Sequence, residues 1–415
     1  MTAPRLLHAR VPQAGVTLRD VTDVHRHIGA VCFKTGPPGT VGAELEWLVA
    51  DTREPHLPVP PDRVRRAAET AGDLPGGSVL SLEPGGQVEL SSQPAPGVPG
   101  RPALDACRTA LAADVDHLTD ALARAGLRLL QTAADPLRPP HRGLQAPRYE
   151  AMERYFAARA GLGRHMMCST AATQVCLDAG ADAADVVRRW RLLHAVGPAL
   201  VAAFANSPRL HGRPERRASW RQHVWSTVDR WAPCRLDGDP VAAWAEHALA
   251  APVMSVRRDG QPWLADPGCT FGAWLDGDAG LGPPTAGDLD HHLSTLFPPV
   301  RPRAYLEVRY LDAQPGRWWP VPIAVLVALV EDGTAGDAAL DAAEQARGDT
   351  ADPWSAAARH GTSDPALGRA ASACLAAALE ALPRLGAAAA TVDLVAAFAD
   401  RWTFRGRCPA DDEEP

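Results

Sequence analysis

The chain has 415 residues, of which 46% are hydrophobic and 22% charged, and its formal net charge is −7. This composition is ordinary for a globular protein, and the length allows one large domain or two smaller ones. The acidic balance argues against a basic surface for nucleic acid, so we expect no nucleic-acid partner.

The cysteines and the apolar segments indicate a cytoplasmic protein. The eight cysteines include no CxxC pair and no spacing typical of zinc sites, so we expect reduced thiols rather than a disulfide framework. Residues 1–15 lack the apolar core of a signal peptide, and the longest apolar run, Val321–Val330, is too short to span a bilayer. We therefore expect no membrane partner.

Hydrophobic periodicity predicts helices and strands in mixed order. In chain order the pattern predicts a helix at Val16–Phe33, a strand at Val41–Ala50, a helix at Pro60–Ala71, strands at Ser78–Glu83 and Gln87–Ser92, a helix at Ala103–Ala125, a strand at Leu127–Thr132, a helix at Arg148–Ala160, a strand at Met166–Asp178, a helix at Ala181–Ala205 and a strand at Pro302–Leu311. His211–Trp231 fits neither pattern. The strands lack βαβ regularity and precede a helical C-terminal part at about residues 317–410, which predicts an α+β fold with an antiparallel sheet.

The strand Val41–Ala50 carries two carboxylates on one face. Glu44 and Glu46 are two residues apart, so their side chains point to the same side of a strand. Two like charges in one place repel each other unless cations hold them. The pattern therefore fits either a polar stripe that faces solvent or a cation site.

Two more glutamates flank a predicted hairpin loop at Pro84–Gly86. A three-residue loop would place Glu89 opposite Ser81 and would put Glu83 and Glu89 on one face. A two-residue loop would put the two glutamates on opposite faces. The alternative to a functional site is an ordinary charged hairpin.

The strand Pro302–Leu311 places Tyr305, Glu307, Arg309 and Leu311 on one face. Glu307 and Arg309 could form a surface ion pair worth less than about 1 kcal/mol. In a nucleotide site the same pair would provide a metal ligand and a clamp for the γ-phosphate.

In the predicted strand Met166–Asp178, Gln174 shares a face with Thr170 and Ala172. It is either a core amide or a neutral oxygen donor. Oxygen donors spread over several strands suit Mg²⁺, which keeps waters and bridges substrate phosphates. The sequence contains neither GxxxxGK[ST] nor GxGxxG, so metals and arginines would have to hold the phosphates of ATP.

Together these segments resemble the glutamate–cysteine ligase family, in the form found in plants and many bacteria. The segments that carry the resemblance are GAELEW (Gly42–Trp47), GGSVLSLEPGGQVELSSQP (Gly76–Pro94), HMMCSTAATQVCLD (His165–Asp178), NSP (Asn206–Pro208), SWRQHVWSTVDR (Ser219–Arg230), HHLSTLFPPVRPRAYLEVRYLD (His291–Asp312) and RGRCPADD (Arg405–Asp412). The closing RGRCPADD and the chain length are similar to the actinobacterial subgroup that makes γ-glutamylcysteine for ergothioneine.

The resemblance implies a glutamine-synthetase-like catalytic core. Its curved antiparallel sheet would carry the active site on the concave face, within a single catalytic domain over residues 1–415. ATP would phosphorylate the γ-carboxylate of L-glutamate, and the amine of L-cysteine would then displace the phosphate. The implied partners are L-glutamate, L-cysteine and ATP, with two or three Mg²⁺ ions, and the expected state is a monomer or weak homo-oligomer.

The resemblance also implies roles for individual residues. The implied metal ligands are Glu44, Glu46, Glu83, Glu89 and Glu307. Arg309 and Glu46 would be catalytic, with Arg309 on the transferred phosphoryl group and Gln174 beside the metal-bound nucleotide. The implied substrate contacts are Arg221 at the glutamate α-carboxylate, Trp225, Met167 in the glutamate pocket and Tyr305 beside the cysteine pocket.

Two other functions remain open from the sequence. The chain could be a related ATP-dependent carboxylate–amine ligase with another amine or acid, because only the pockets would differ. It could instead be a non-catalytic sensor of glutamate or nucleotide. The intact set of acidic residues and Arg309 argues against a sensor, since a protein that only binds need not keep every metal ligand.

Overall fold

The structure is a computed structural model that describes residues 15–228, 232–258, 263, 265–266, 268–277 and 280–412. Most of the N-terminal segment considered for a signal peptide lies outside these residues, as do residues 229–231 of the unassigned segment. Among the described residues, no helix is both long enough and apolar enough to cross a membrane.

An antiparallel sheet organises the first part of the chain. The strands are β1 (Val41–Trp47), β2 (Val49–Asp51), β3 (Val79–Leu82), β4 (Val88–Ser91), β5 (Leu127–Leu129), β6 (Ala172–Asp178), β7 (Val300–Pro302) and β8 (Tyr305–Asp312). Six of them form one sheet in the order β3-β4-β1-β6-β8-β7, and β2 pairs with β5 in a separate ribbon. The predicted α+β fold with an antiparallel sheet is confirmed.

Helices surround the sheet and make up the C-terminal third. They are α1 (Val21–Cys32), α2 (Pro61–Ala71), α3 (Leu104–Arg124), α4 (Pro147–Ala157), α5 (Gly163–Cys168), α6 (Ala183–Ala195), α7 (Gly197–Ala203), α8 (Trp220–Ser226), α9 (Pro240–Ala250), α10 (Phe271–Leu275), α11 (Ala286–Ser294), α12 (Pro320–Glu331), α13 (Gly333–Asp349), α14 (Pro353–His360), α15 (Pro365–Arg384) and α16 (Ala389–Arg401). The apolar α12 is buried almost throughout and packs against β6, α15 and α16.

The alternation in β1 explains how the sheet divides core from site. Val41, Ala43, Leu45 and Trp47 are buried on one face, and the residues between them are only half-buried. The apolar face joins the main core of the protein. The other face therefore holds its carboxylates beside open space rather than in the core.

Four predicted elements are each divided in two in the structure, and the bounds of the others shift by up to five residues. Met166–Asp178 is helix α5 followed by β6, and Ala181–Ala205 is two helices, because Gly197-Pro198 starts α7. The predicted strand Val41–Ala50 breaks at the buried Leu48, where the chain leaves the main sheet for the ribbon with β5. The predicted strand Pro302–Leu311 is the hairpin of β7 and β8, with Ala304 at φ 67° in its turn.

An irregularity in β8 overturns the prediction that Leu311 shares a face with Arg309. Val175 pairs with Val308 but Thr173 pairs with Leu311, so Arg309 and its neighbour Tyr310 together oppose one residue of β6. A bulge of this kind reverses the side on which the following residues point. Leu311 is consequently buried on the core face.

Candidate active site

The glutamates singled out in the sequence meet on one face of the sheet. Their register brings Glu46 opposite Glu89, Glu44 opposite Gln174, and Glu307 opposite Cys176. A cavity of about 400 Å³ lies over this face. Four of the glutamates line it, namely Glu44, Glu46, Glu83 and Glu89. Gln174 and Arg309, which the sequence also singled out, line it as well.

The β3–β4 hairpin has the three-residue loop considered in the sequence. Ser81 pairs with Glu89, and the Glu83 N–H donates to the Gln87 carbonyl at 2.9 Å. Glycine is required twice in this loop. Gly86 has φ +86°, and a Cβ on Gly85 would lie 2.4 Å from the Cys168 carbonyl oxygen. Glu83 and Glu89 therefore face the same cavity.

Glu44, Glu46 and Glu83 form no ion pair with any described residue. Burial, followed by the charges of Glu307 and Glu89, raises the pKa of Glu44 to about 8. Burial with Glu89 and Glu83 raises the pKa of Glu46 to about 8, and burial with Glu89 raises that of Glu83 to about 7. Among the described residues, none forms a hydrogen bond or ion pair with the Glu44 carboxylate. This donor set fits hard divalent cations, which would neutralise the repulsion between the carboxylates.

The surroundings of Glu307 have the opposite effect on its pKa. Its carboxylate is fully buried and accepts from Arg301 Nε at 2.7 Å and from Arg309 Nη1 at 2.6 Å. Burial alone would raise the pKa of Glu307, but the charges of Arg301, Arg309 and Arg303 outweigh burial and lower it. This carboxylate therefore stays ionised and anchors the side chain of Arg309.

Gln174 links the two parts of the site. Its Nε2 donates to Glu46 Oε1 at 2.8 Å, while its Oε1 accepts from Arg309 Nη1 at 2.5 Å. Glu46 also accepts from the Ala172 N–H at 2.9 Å. The amide thus orients both a carboxylate and an arginine on the wall of the cavity.

Arg221 lies beneath this wall and is not among the residues that line the cavity. It is buried, and its Nη2 donates to the Arg309 carbonyl at 2.6 Å, at the bulge of β8. Its Nη1 lies 3.8 Å from Asp312 Oδ1. Its Nε and Nη1 have no hydrogen-bond partner among the described residues. Burial lowers the pKa of Arg221, and Asp312 and Glu46 partly offset that effect.

Asp312 collects the polar groups that support Arg221. Its carboxylate accepts from the Asn206 N–H at 2.9 Å, from Ser207 Oγ at 2.7 Å and from Ser219 Oγ at 2.9 Å. Asn206 and Ser207 belong to the NSP segment, and Ser219 caps α8. The two segments therefore fix the helix that carries Arg221 against the end of β8.

The far end of the cavity is apolar and includes residues that the sequence did not single out. Met167 and Trp225 line it, and Trp225 Nε1 donates to Thr170 Oγ1 at 3.3 Å. The further lining residues are Pro84, Gln87, Arg148, Tyr149, Met152, Met166, Thr170, Phe297, Arg301 and Arg303. Arg301 and Arg303 belong to the segment His291–Asp312, which carries part of the family resemblance. Arg148 and Tyr149 come from helix α4, which contains none of those motifs.

A second cavity, of about 630 Å³, lies on the other side of Glu44. Gly42, Glu44 and Cys176 form part of its sheet wall, and Lys34 and Tyr305 also line it. Tyr305 therefore lies here and not beside Met167 and Trp225. Glu44 lines both cavities, so the two spaces meet at that carboxylate.

Comparison with known proteins identifies the class. The family model described as "Glutamate-cysteine ligase family 2(GCS2)" matches residues 40–413. The chain belongs to the glutamate–cysteine ligase family, as the motifs indicated.

Individual relatives agree with this assignment. The glutamate–cysteine ligase EgtA of Mycobacterium tuberculosis is 43% identical over 409 residues, which cover 96% of this chain and 90% of the relative. The chloroplastic glutamate–cysteine ligase of Medicago truncatula is 33% identical over 269 residues, which cover 62% of this chain and 51% of the relative. The crystal structure of a glutamate–cysteine ligase from Francisella tularensis in complex with AMP has a TM-score of 0.52 and 12% identity, covering 91% and 84% of the two chains. That likeness shows a shared fold.

Proposed function

We propose that this protein uses ATP to join the γ-carboxylate of L-glutamate to the amine of L-cysteine, giving γ-glutamylcysteine, ADP and phosphate. Membership of the family supports this class of reaction, and the name of the mycobacterial relative supports a product that feeds ergothioneine synthesis. The observation that carries the proposal is that four glutamates, none of them in an ion pair with a described residue, meet Arg309 in one cavity. The AMP in the Francisella complex supports ATP as the co-substrate.

The two cavities suggest where the substrates lie. The second cavity is large enough for a nucleotide and is mostly apolar. We place the base and ribose of ATP there, beside Gly42 and Tyr305, with the phosphates reaching Glu44. Glutamate and cysteine then occupy the first cavity, so the phosphoryl group is transferred from ATP to glutamate beside Glu44 and Arg309.

The carboxylates would hold two or three Mg²⁺ ions, through Glu44, Glu46, Glu83, Glu89 and Glu307. Bound there, the ions would supply positive charge between the phosphates of ATP and the incoming carboxylate of glutamate. The raised pKa values of Glu44 and Glu46 support this assignment, because burial and the neighbouring carboxylates outweigh the nearby arginines.

Arg309 is the chain's own contribution to phosphoryl transfer. Its Nη1 binds Gln174 and Glu307, which fixes the plane of the guanidinium. Its Nε has no hydrogen-bond partner among the described residues. A guanidinium fixed in advance can stabilise charge that develops on the phosphoryl oxygens, and phosphoryl transfer depends mainly on such positioning.

We assign the apolar end of the first cavity to the cysteine side chain, which differs from the resemblance, where Met167 lies in the glutamate pocket and Tyr305 beside the cysteine pocket. Met152, Met166 and Met167 bring three thioether groups to this wall, beside Trp225 and Phe297. Such side chains pack well around a thiol and exclude water. Exclusion of water protects an acyl phosphate from hydrolysis until the amine of cysteine attacks.

Arg221 is proposed to reach the α-carboxylate of glutamate through its free Nε and Nη1 after a small shift of the cavity wall. Its present hydrogen bond to the Arg309 carbonyl also supports a role in positioning Arg309.

We further propose one catalytic domain over residues 1–415, acting in the cytoplasm as a monomer or weak homo-oligomer. Packing of α12 against β6 supports a single domain.

The test is to incubate the purified protein with Mg²⁺, ATP and glutamate, to add single amino acids in turn, and to measure ADP and the dipeptide mass. The proposal predicts ADP formation that depends on both glutamate and cysteine. Faster turnover with another amine would identify a related ligase instead. Binding of ATP or glutamate without any turnover would support a sensor.

A further inference from the structure

A third cavity lies among the alanine-rich helices and shares no lining residue with the two cavities on the sheet. We call it the helical cavity. It has a volume of about 310 Å³ and is enclosed by α6, α7, α13, α14, α15 and residues 233–237. Its walls are small apolar residues, including Ala199, Ala343 and Ala346, with Leu367 and the ring of Trp354. A volume of this size is typical of sites for small organic molecules.

Two polar groups of the helical cavity have no hydrogen-bond or ion-pair partner in the part of the chain that the structure describes. His194 is buried in its wall, and its Nδ1 lies 2.9 Å from the carbonyl of Trp190. A carbonyl can only accept, so Nδ1 carries the proton and Nε2 is an acceptor; Nε2 has no hydrogen-bond partner among the described residues. Burial lowers the pKa of His194 to about 4, which keeps the ring neutral.

Arg347 supplies the second unpartnered group. It lies at the exposed end of α13 on the rim of the cavity, and it forms no hydrogen bond or ion pair with the described residues. Arg235 lines the same rim but already pairs with Glu246 at 3.4 Å. Among the described residues of the rim, Arg347 is therefore a cation without a partner, and Asp237 adds one carboxylate. Arg347 beside the apolar interior suits an anionic group attached to an apolar body.

The cavity wall is in contact with the strand that carries Arg309. The rings of Trp354 and Tyr310 meet edge to face with centroids 5.6 Å apart, and the Tyr310 hydroxyl donates to the Leu193 carbonyl at 3.0 Å. Tyr310 and Arg309 are the two residues of the bulge. A Cβ on Gly197 would lie 2.3 Å from the Trp354 ring, so this ring has no room to move toward α7.

We propose that the helical cavity is a regulatory site for a small aromatic carboxylate that carries a hydrogen-bond donor. The ring fills the space between the alanines and Trp354, the donor reaches the imidazole of His194, and the carboxylate binds Arg347. Occupancy presses on Trp354 and changes the position of Tyr310 and hence of Arg309. The binding step is independent of the proposed ligase reaction, whereas the effect on turnover rests on it.

The test uses indole-3-acetate as the probe, with isothermal titration calorimetry on the full chain. We expect saturable one-to-one binding that is lost in Ala346→Trp, which fills the cavity. The matched control is Gln345→Trp, because Gln345 is the exposed neighbour on the same helix and its variant should bind as the wild type does. Equal binding by Ala346→Trp, or no binding by the wild type at millimolar probe, would overturn the proposal.

A second variant keeps the test sharp if Ala346→Trp does not fold. Arg347→Gln changes an exposed side chain, so folding should be preserved. We expect the wild type to prefer indole-3-acetate over the neutral indole-3-acetamide, and Arg347→Gln to lose that preference. An unchanged preference would show that Arg347 does not bind the carboxylate and would contradict the assigned ligand class.

The regulatory part is measured by ADP formation with glutamate and cysteine. Saturating probe should change kcat or the KM for ATP by about fivefold in the wild type and in Gln345→Trp, but not in Ala346→Trp. Binding without any change in turnover would overturn the coupling to Arg309. A protein that binds the probe but has no ligase activity would instead contradict the proposed function.

Discussion

Glu44 and Glu307 lie on the same face of the sheet, with donor atoms within 4.8 Å of each other and of the Cys176 thiol, yet their surroundings are opposite. Arginines surround Glu307 and lower its pKa, although burial alone would raise it. Burial and neighbouring carboxylates raise the pKa of Glu44 to about 8. The protein therefore supplies counter-charge to one half of the site and leaves the other half to cations that would arrive with the substrates.

The largest expected effect on kcat comes from removing Arg309, in the part of the site where arginines surround Glu307. Arg309→Gln should lower kcat by about 10³-fold, because it removes a positioned positive charge from the transferred phosphoryl group. Steady-state ADP formation measures this. Arg303→Gln is the matched control, since Arg303 lies 3.5 Å from the same carboxylate but is half-exposed. A loss in Arg303→Gln as large as in Arg309→Gln would contradict the special role of Arg309.

Substitution of Glu46 tests the part of the site where glutamates are proposed to bind metal ions. Glu46→Gln should lower kcat by at least about 10²-fold, because even residues that only support metal ligands cost 10- to 100-fold. The variant should fold at least as well as the wild type without metal, because one of several repelling charges is gone. Activity and thermal unfolding measure the two effects. Near-wild-type activity would contradict the metal-ligand assignment, and Glu69→Gln, on an exposed part of α2, is the control.

A smaller effect is expected behind the wall of the cavity. Asp312→Asn keeps the shape but removes the charge that faces Arg221 and alters the hydrogen bonds from Ser207 and Ser219. We expect kcat to fall about tenfold as Arg309 loses its support, and the free energy of unfolding to fall by about 1–3 kcal/mol. Kinetics and urea unfolding measure both quantities. Unchanged kcat in a destabilised variant would show a purely structural role.

The smallest effect concerns pH and stability without metal. The pKa values of Glu44 and Glu46 rise from an ordinary 4.5 to about 8 in the folded state, so the folded protein binds more protons than the unfolded chain between these values. Stability without metal should therefore decrease as pH rises from about 4.5 to about 8. Mg²⁺ with ATP should flatten this decrease, as should Glu46→Gln. Thermal unfolding across this pH range, with and without ligands, measures the slope, and a metal-free stability that rises with pH would contradict the account.

The parts of the site that follow from local spacing were predictable from the sequence. Glu44 and Glu46 share a face because strand side chains alternate, and the three-residue form of the PGG loop, one of the two considered, predicted a common face for Glu83 and Glu89. Both expectations agree with the observed pairing. The fold class also followed, because the order of helices and strands excludes regular βαβ units.

The parts that depend on contacts between distant segments were not predictable. The bulge that moves Leu311 to the core face arises from pairing with β6, and nothing in the local sequence of β8 signals it. Arg148 and Tyr149 reach the cavity only through the packing of α4. The split of Met166–Asp178 into helix and strand was missed because a short apolar run has no clear period.

The central claim is that Glu44, Glu46, Glu83 and Glu89 form a cation site, and direct counting of bound Mn²⁺ as a substitute for Mg²⁺ tests it best. Electron paramagnetic resonance of free Mn²⁺, with a non-hydrolysable ATP analogue present, gives the number of ions bound to each protein. The account predicts two or three ions in the wild type and in Glu69→Gln, and fewer in Glu46→Gln. Equal numbers in all three proteins would contradict the assignment of these glutamates.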